Sequence, residues 1–104
     1  MNEESSFGSS SEQEIEIQYS KQAEKFFAKQ RYLPKSEVRL LLVKAVRHLT
    51  KVELSNIDVK FLTGSLQGFY RIRKGNVRII FSYRNGTMVI VTVENIDVRG
   101  NVYE

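Results

Sequence analysis

Cysteine and tryptophan are absent from this 104-residue chain, and proline and histidine occur once each. Without cysteine there are no disulfides and no thiolate metal sites. His48, the one histidine, cannot alone supply a histidine pair, a Ser-His-Asp triad or a His-rich metal cluster; beside an apolar helical stripe it reads as structural. The acidic residues make no spaced carboxylate pair of the kind used in glycoside hydrolysis or two-metal chemistry. Gly75 and Gly86 are accounted for as turns, so no glycine loop is left to cradle phosphate. No cofactor, metal or small-molecule ligand is expected. No apolar run approaches the length of a membrane span, and the N-terminus is acidic without a leader-like apolar segment, so the expected compartment is the cytoplasm.

What the chain does have is positive charge in one part of its length. Residues 1–18 hold five glutamates and no base, which leaves sixteen Lys and Arg against seven Asp and Glu in residues 19–104, a formal +9. A small domain this basic is suited to a polyanion, with nucleic acid first. Residues 1–13, rich in Ser and Glu with Phe7 as the one aromatic, read as an acidic flexible tail, and residues 14–104 as a single domain. The tail is a candidate cover for the basic face.

Ile15 and Ile17 alternate with polar residues and predict a short half-buried strand over residues 14–18. Ser20 is placed to cap a helix whose inner face is Ala23, Phe26, Phe27 and Gln30, with Lys21, Lys25 and Lys29 outside. That helix is expected to end near Tyr32, because Pro34 disfavours helical geometry at Leu33. A second helix is predicted from Pro34 or Lys35 to Thr50, its stripe formed by Val38, Leu41, Leu42, Ala45 and Leu49. Lys44, Arg47 and Lys51 lie on its polar side and widen the positive footprint available to a large RNA.

Three strand-like runs follow, at residues 69–74, 77–84 and 87–94. If Gly75-Asn76 is a two-residue turn, Lys74 pairs with Val77, Arg73 with Arg78 and Ile72 with Ile79. Tyr70, Ile72, Ile79 and Phe81 then share the core face, and Arg71, Arg73, Arg78 and Ser82 share the other, with Phe69 on the arginine side where it could stack on a base. Opposed guanidinium groups cost roughly 0.2 to 1 kcal/mol, a local loss that suggests a site for an anion. The competing reading is a solvated basic face whose arginine stems cover apolar surface. Asn85-Gly86 signals a second hairpin. The sum is an α+β fold: an N-terminal strand and two antiparallel helices packed on one face of a small, mainly antiparallel sheet, the other face open.

The order and spacing of Leu62-Thr63-Gly64, Gly68-Phe69-Tyr70-Arg71-Ile72-Arg73, Asn76-Val77-Arg78-Ile79-Ile80-Phe81, Asn85-Gly86 and Arg99-Gly100-Asn101-Val102-Tyr103 resemble the toxins of the RelE/ParE superfamily over residues 15–103. That resemblance implies the toxin half of a toxin-antitoxin pair, neutralised by a cognate antitoxin protein. In the RelE-like branch it implies a metal-independent endoribonuclease that cuts mRNA on the ribosome and leaves a 2′,3′-cyclic phosphate, with mRNA and rRNA as partners and no membrane. Carried over residue by residue, it gives catalytic positions to Arg71, Arg73, Arg78, Arg99 and Tyr103, the last as general base. Phe69, Lys74, Lys44, Arg47 and Lys51 are added as RNA-binding candidates. Arg71 and Arg73 stand where some members have lysine, and a guanidinium does not readily release a proton, so the leaving group has no obvious donor. The alternatives are a ParE-like gyrase inhibitor without catalysis and an inactive RNA-binding relative.

Overall fold

The computed structural model describes residues 14–30 and 33–98. Its elements are β1 (Ile15–Tyr19), α1 (Lys21–Lys29), α2 (Lys35–Leu49), β2 (Asp58–Phe61), a 3-10 turn (Gly64–Leu66), β3 (Tyr70–Lys74), β4 (Val77–Asn85) and β5 (Val89–Val98). One sheet holds all the strands in the order β1-β5-β4-β3-β2, with β1 parallel to β5 and every other pair antiparallel. Both helices pack on the same face, so the expected α+β architecture is the observed one. No helix among the described residues is long and apolar enough to cross a membrane.

The Ser20 hydroxyl accepts from the Ala23 N–H at 3.1 Å and donates to the Glu94 carbonyl at 2.7 Å, which caps α1 and ties its start to β5. The helix stops at Lys29, earlier than the expected end near Tyr32, because Gln30 already has extended backbone at φ −113° and ψ 121°. Arg31 and Tyr32 lie outside the described residues. Helix α2 buries Val38, Leu42, Ala45 and Val46, while Leu41 and Leu49 are half-buried; its inner stripe is thus rotated toward Val46 relative to expectation. His48 is structural as expected: its Nδ1 accepts from the Ser55 N–H at 3.0 Å and holds the chain after α2.

Gly75 has φ +60° and opens the β3–β4 turn as the glycine-first hairpin requires, and the predicted pairs Lys74–Val77, Arg73–Arg78, Ile72–Ile79 and Tyr70–Phe81 all form. The second hairpin differs. Asn85 pairs with Val89 across a three-residue loop, so β5 begins at Val89, two residues later than expected, and runs on to Val98. A two-residue Asn-Gly turn would have put Val89, Val91 and Val93 on the arginine face, whereas this register buries all three with Phe81. An extra residue in β5 opposite Ile80 and Phe81 then resets the alternation so that Ile96 also turns inward.

Strand β2 was not anticipated. Its alternation places Val59 opposite Ile72 and Phe61 opposite Tyr70 on the helix side, and turns Asp58 and Lys60 to the other face. The core lies between the sheet and the helices, with Phe81, Leu42, Ile72 and Ile79 its largest fully buried side chains.

Candidate functional site

The sheet face away from the helices is built by register alone. Across the strands runs a single row, Asp58 opposite Arg73, Arg73 opposite Arg78, and Arg78 opposite Asp97. Carboxylates therefore flank the like-charged pair on both sides. The next row places Lys60 beside Arg71, and beyond it Ser82 stands beside Thr92 and Arg84 beside Ile90.

Arg73 and Arg78 share this face, as the hairpin register predicts, but the guanidinium groups are not equivalent. Arg71 is only 8% exposed, and its Nη2 donates to Asp58 Oδ1 at 2.9 Å while its Nε is shielded without a hydrogen-bond partner. It is held inside the sheet surface by a charge-assisted bond. Arg78 Nε lies 3.6 Å from Asp97 Oδ1, an ion pair longer than a hydrogen bond, and neither atom has another partner. Arg73 is exposed and has no carboxylate partner among the described residues. Asp97 thus partly offsets Arg78, while Asp58 is taken up by Arg71 and leaves Arg73 unpaired. What remains for a ligand is Arg73, a loosely paired Arg78, and the exposed side chain of Lys60 one row away; Arg84, also exposed, lies at the far end of β4.

Lys74, Lys44 and Arg47, expected to extend the same positive surface, sit on the helix side. They line one groove of about 420 Å³ together with Leu40, Leu41 and Val43, and Arg47 is answered there by Glu53 at 3.6 Å. Lys51 is exposed just past α2 at φ +63°. Phe69 is half-buried in the turn before β3, where its carbonyl accepts from Leu62 N–H at 2.9 Å.

The described phenols all face the helices: Tyr19, Tyr70 and Tyr83 pair with Val93, Phe81 and Val91. Burial raises the Tyr83 phenol above its ordinary value, with the charge of Tyr70 and a hydrogen bond to it adding to the rise. Burial also raises Tyr19, and there Lys35 and Arg39 oppose the shift.

No family model matches the sequence, and no curated protein is significantly similar to it. Solved structures are similar in fold. A YafQ mutant from Escherichia coli shares 16% identity at a TM-score of 0.58, covering 88% of this chain and 100% of the other. The YoeB-YefM toxin-antitoxin complex from Staphylococcus aureus gives 18% and 0.53, covering 82% of this chain and 97% of that one. The RelBE2 toxin-antitoxin complex from Mycobacterium tuberculosis gives 19% and 0.51, with 81% and 96% covered.

The chain has the RelE-like fold. Within it, Arg71, Arg73 and Arg78 come together on one sheet face, while Arg99 and Tyr103 lie outside the described residues. The RelE-like sheet also carries two carboxylates of consequence that the arginine pattern did not single out as partners, Asp58 and Asp97. The period-two alternation of residues 57–61 was the available signal for Asp58.

Proposed function

We propose that this chain is the toxin of a toxin-antitoxin pair and that it cleaves mRNA engaged by the ribosome without a metal ion. The observation that carries the proposal is Arg73 opposite Arg78 on a face that no described element covers, in a RelE-like fold whose similar structures include toxin-antitoxin complexes. In the reaction, the ribose 2′-oxygen gives its proton to the Tyr103 phenolate and bonds to the adjacent phosphorus. The bond from phosphorus to the 5′-oxygen breaks, and that oxygen takes a proton from water. The products are a 2′,3′-cyclic phosphate and a 5′-hydroxyl. The pentacoordinate phosphorus carries extra negative charge, which Arg73 meets directly and Arg78 meets by exchanging Asp97 for phosphate oxygen. Arg99 adds a further cation, and neighbouring guanidinium groups make the Tyr103 phenol more acidic. Arg71, held by Asp58, positions β3 rather than touching substrate. A cognate antitoxin that covers this face would silence it.

The test is mRNA cleavage on programmed ribosomes with the wild type, Arg73→Ala and Tyr103→Phe. Wild type should cut and leave cyclic phosphate ends; both variants should lose cleavage by a factor of about 100 or more while remaining folded. A second reading, gyrase inhibition without catalysis, is favoured by the ion pairing of Arg71 and Arg78, which leaves less free charge than a nuclease site would hold. Intact mRNA together with arrested supercoiling by purified gyrase would select it.

A further inference from the structure

Between the row that holds Arg73 and Arg78 and the row that holds Ser82 and Thr92 lies a row of different character, Lys60, Arg71, Ile80 and Asn95. Toward β5 it offers no free charge. Arg71 is committed to Asp58, Ile80 is apolar and half-buried, and Asn95 is neutral and half-buried. Ile80 and Asn95 sit opposite each other on neighbouring strands, about 4.8 Å apart, and each lies roughly 6.6 Å along its strand from Arg78 or Asp97. A phosphate finds no cation at these two side chains, whereas a flat neutral ring finds carbon beneath it and a polar group at its rim. Strand β1 ends at Tyr19, opposite Val93, so no described strand stands outside Asn95. Residues 1–13, the candidate cover for this face, lie outside the described residues.

The Asn95 amide has one orientation. Ile96 N–H donates to Asn95 Oδ1 at 3.0 Å, and because a backbone N–H needs an acceptor there, the other limb of the amide is Nδ2. Nδ2 has no hydrogen-bond partner among the described residues. The bond forms where β5 carries its extra residue, Glu94, so it also fixes the side chain at that irregularity. Asparagine ordinarily reads adenine with both limbs, giving a proton to N7 and accepting one from the N6 amine. Here the accepting limb is taken up by the protein's own backbone, and a base meets donors alone. Guanine and uracil present a carbonyl oxygen to such donors, where adenine and cytosine present an amine.

We infer that Ile80 and Asn95 seat a nucleobase beside the phosphate held by Arg73 and Arg78, and that Asn95 Nδ2 selects a keto base, guanine or uracil, over adenine or cytosine. The inference rests on the proposed RNA binding by the arginine face, and it gives that face a substrate class. Asn95 sets specificity and moves no proton; the base lies on Ile80 and turns its carbonyl edge toward β5. Because the base is neutral, Asp97 in the next row does not repel it. One hydrogen bond between neutral groups corresponds to roughly a three- to tenfold difference in affinity.

The test titrates the intact protein with RNA pentamers that are 2′-O-methylated throughout, so that no 2′-oxygen can attack, and abasic except for one central A, C, G or U. Wild type should bind the G and U pentamers roughly three- to tenfold more tightly than the A and C pentamers, and only G and U should move the Asn95 side-chain amide signals in NMR spectra. Asn95→Ala should level the four. Asn95→Asp keeps an acceptor for Ile96 N–H, and with it the local fold, but turns an acceptor toward the base; it should weaken all four and reverse their order. Equal wild-type affinities, or an unreversed order in Asn95→Asp, overturns the base seat and leaves phosphate binding by Arg73 and Arg78 standing. Absence of binding by every pentamer, a fully abasic one included, overturns both the seat and the RNA reading of the face. A preference for G and U in a protein that leaves mRNA intact on ribosomes supports the seat and removes only the nuclease reading.

Discussion

Removing Asp58 should cost more stability than removing the buried arginine it holds. The Arg71 side chain is 10% exposed and the Asp58 side chain 49%, and they meet at 2.9 Å. Taking one partner from a fully buried pair costs about 3 to 5 kcal/mol, and a hydrogen bond to a charged group contributes about 1.5 to 3. Because water can reach Asp58, the lower figures apply, and Asp58→Ala should cost about 2 kcal/mol as Arg71 is left shielded with Nε already unpartnered. For a domain of this size that is a fall in Tm of roughly 10 °C. Arg71→Leu should cost less, since it leaves only a half-exposed carboxylate that water can satisfy and fills the arginine's place with carbon. The assay is urea unfolding of both single variants and the double variant. In the Arg71→Leu background, Asp58→Ala should shift stability by less than about 0.5 kcal/mol. If Arg71→Leu proves the costlier change, or if the two substitutions add with no coupling, Arg71 is not held by Asp58, and its assignment as a positioning residue fails.

Other expectations follow from the same geometry. Arg73→Ala, at an exposed position without an ion-pair partner among the described residues, should leave the urea midpoint within about 0.5 kcal/mol of wild type even where cleavage is lost, which unfolding and cleavage assays on one preparation would show. Ser20→Ala removes both the α1 cap and the bond to the Glu94 carbonyl, so it should cost about 1 to 2 kcal/mol by thermal unfolding, with Ser20→Thr recovering most of it. Tyr83 and Tyr19 have phenols raised above their ordinary 10.0 chiefly by burial. Above about pH 10 the unfolded chain has released protons that the folded chain still holds, so stability should fall as pH rises from there, and Tyr83→Phe should flatten that fall in a urea series. RNA binding should weaken steeply with salt, and Arg73→Ala should reduce the slope by about one unit.

Much of the fold was legible because local rules agreed with one another. Gly75-Asn76 fixed the β3–β4 register, and Ser20 marked the start of α1 through its own side-chain chemistry. Where a local rule met a tertiary demand, the local rule lost. Asn85-Gly86 signals a two-residue turn, but burying Val89, Val91 and Val93 outweighs that preference and lengthens the loop. Strand β2 was missed because only three alternating apolar residues mark it, and its pairing with β3 gives them a partner.

The same division runs through the candidate site. The sequence alone determined that Arg71, Arg73 and Arg78 share a sheet face, because a closed hairpin with period-two side chains leaves no other arrangement of its apolar residues. Only the tertiary structure decided which of those charges are free: Asp58 arrives on β2 and Asp97 on β5, from opposite sides, and cross-strand neighbours between separate parts of the chain cannot be read from spacing within one hairpin. The helix side was decided the same way, since Lys74 and Lys44 become neighbours only when α2 lies across β3.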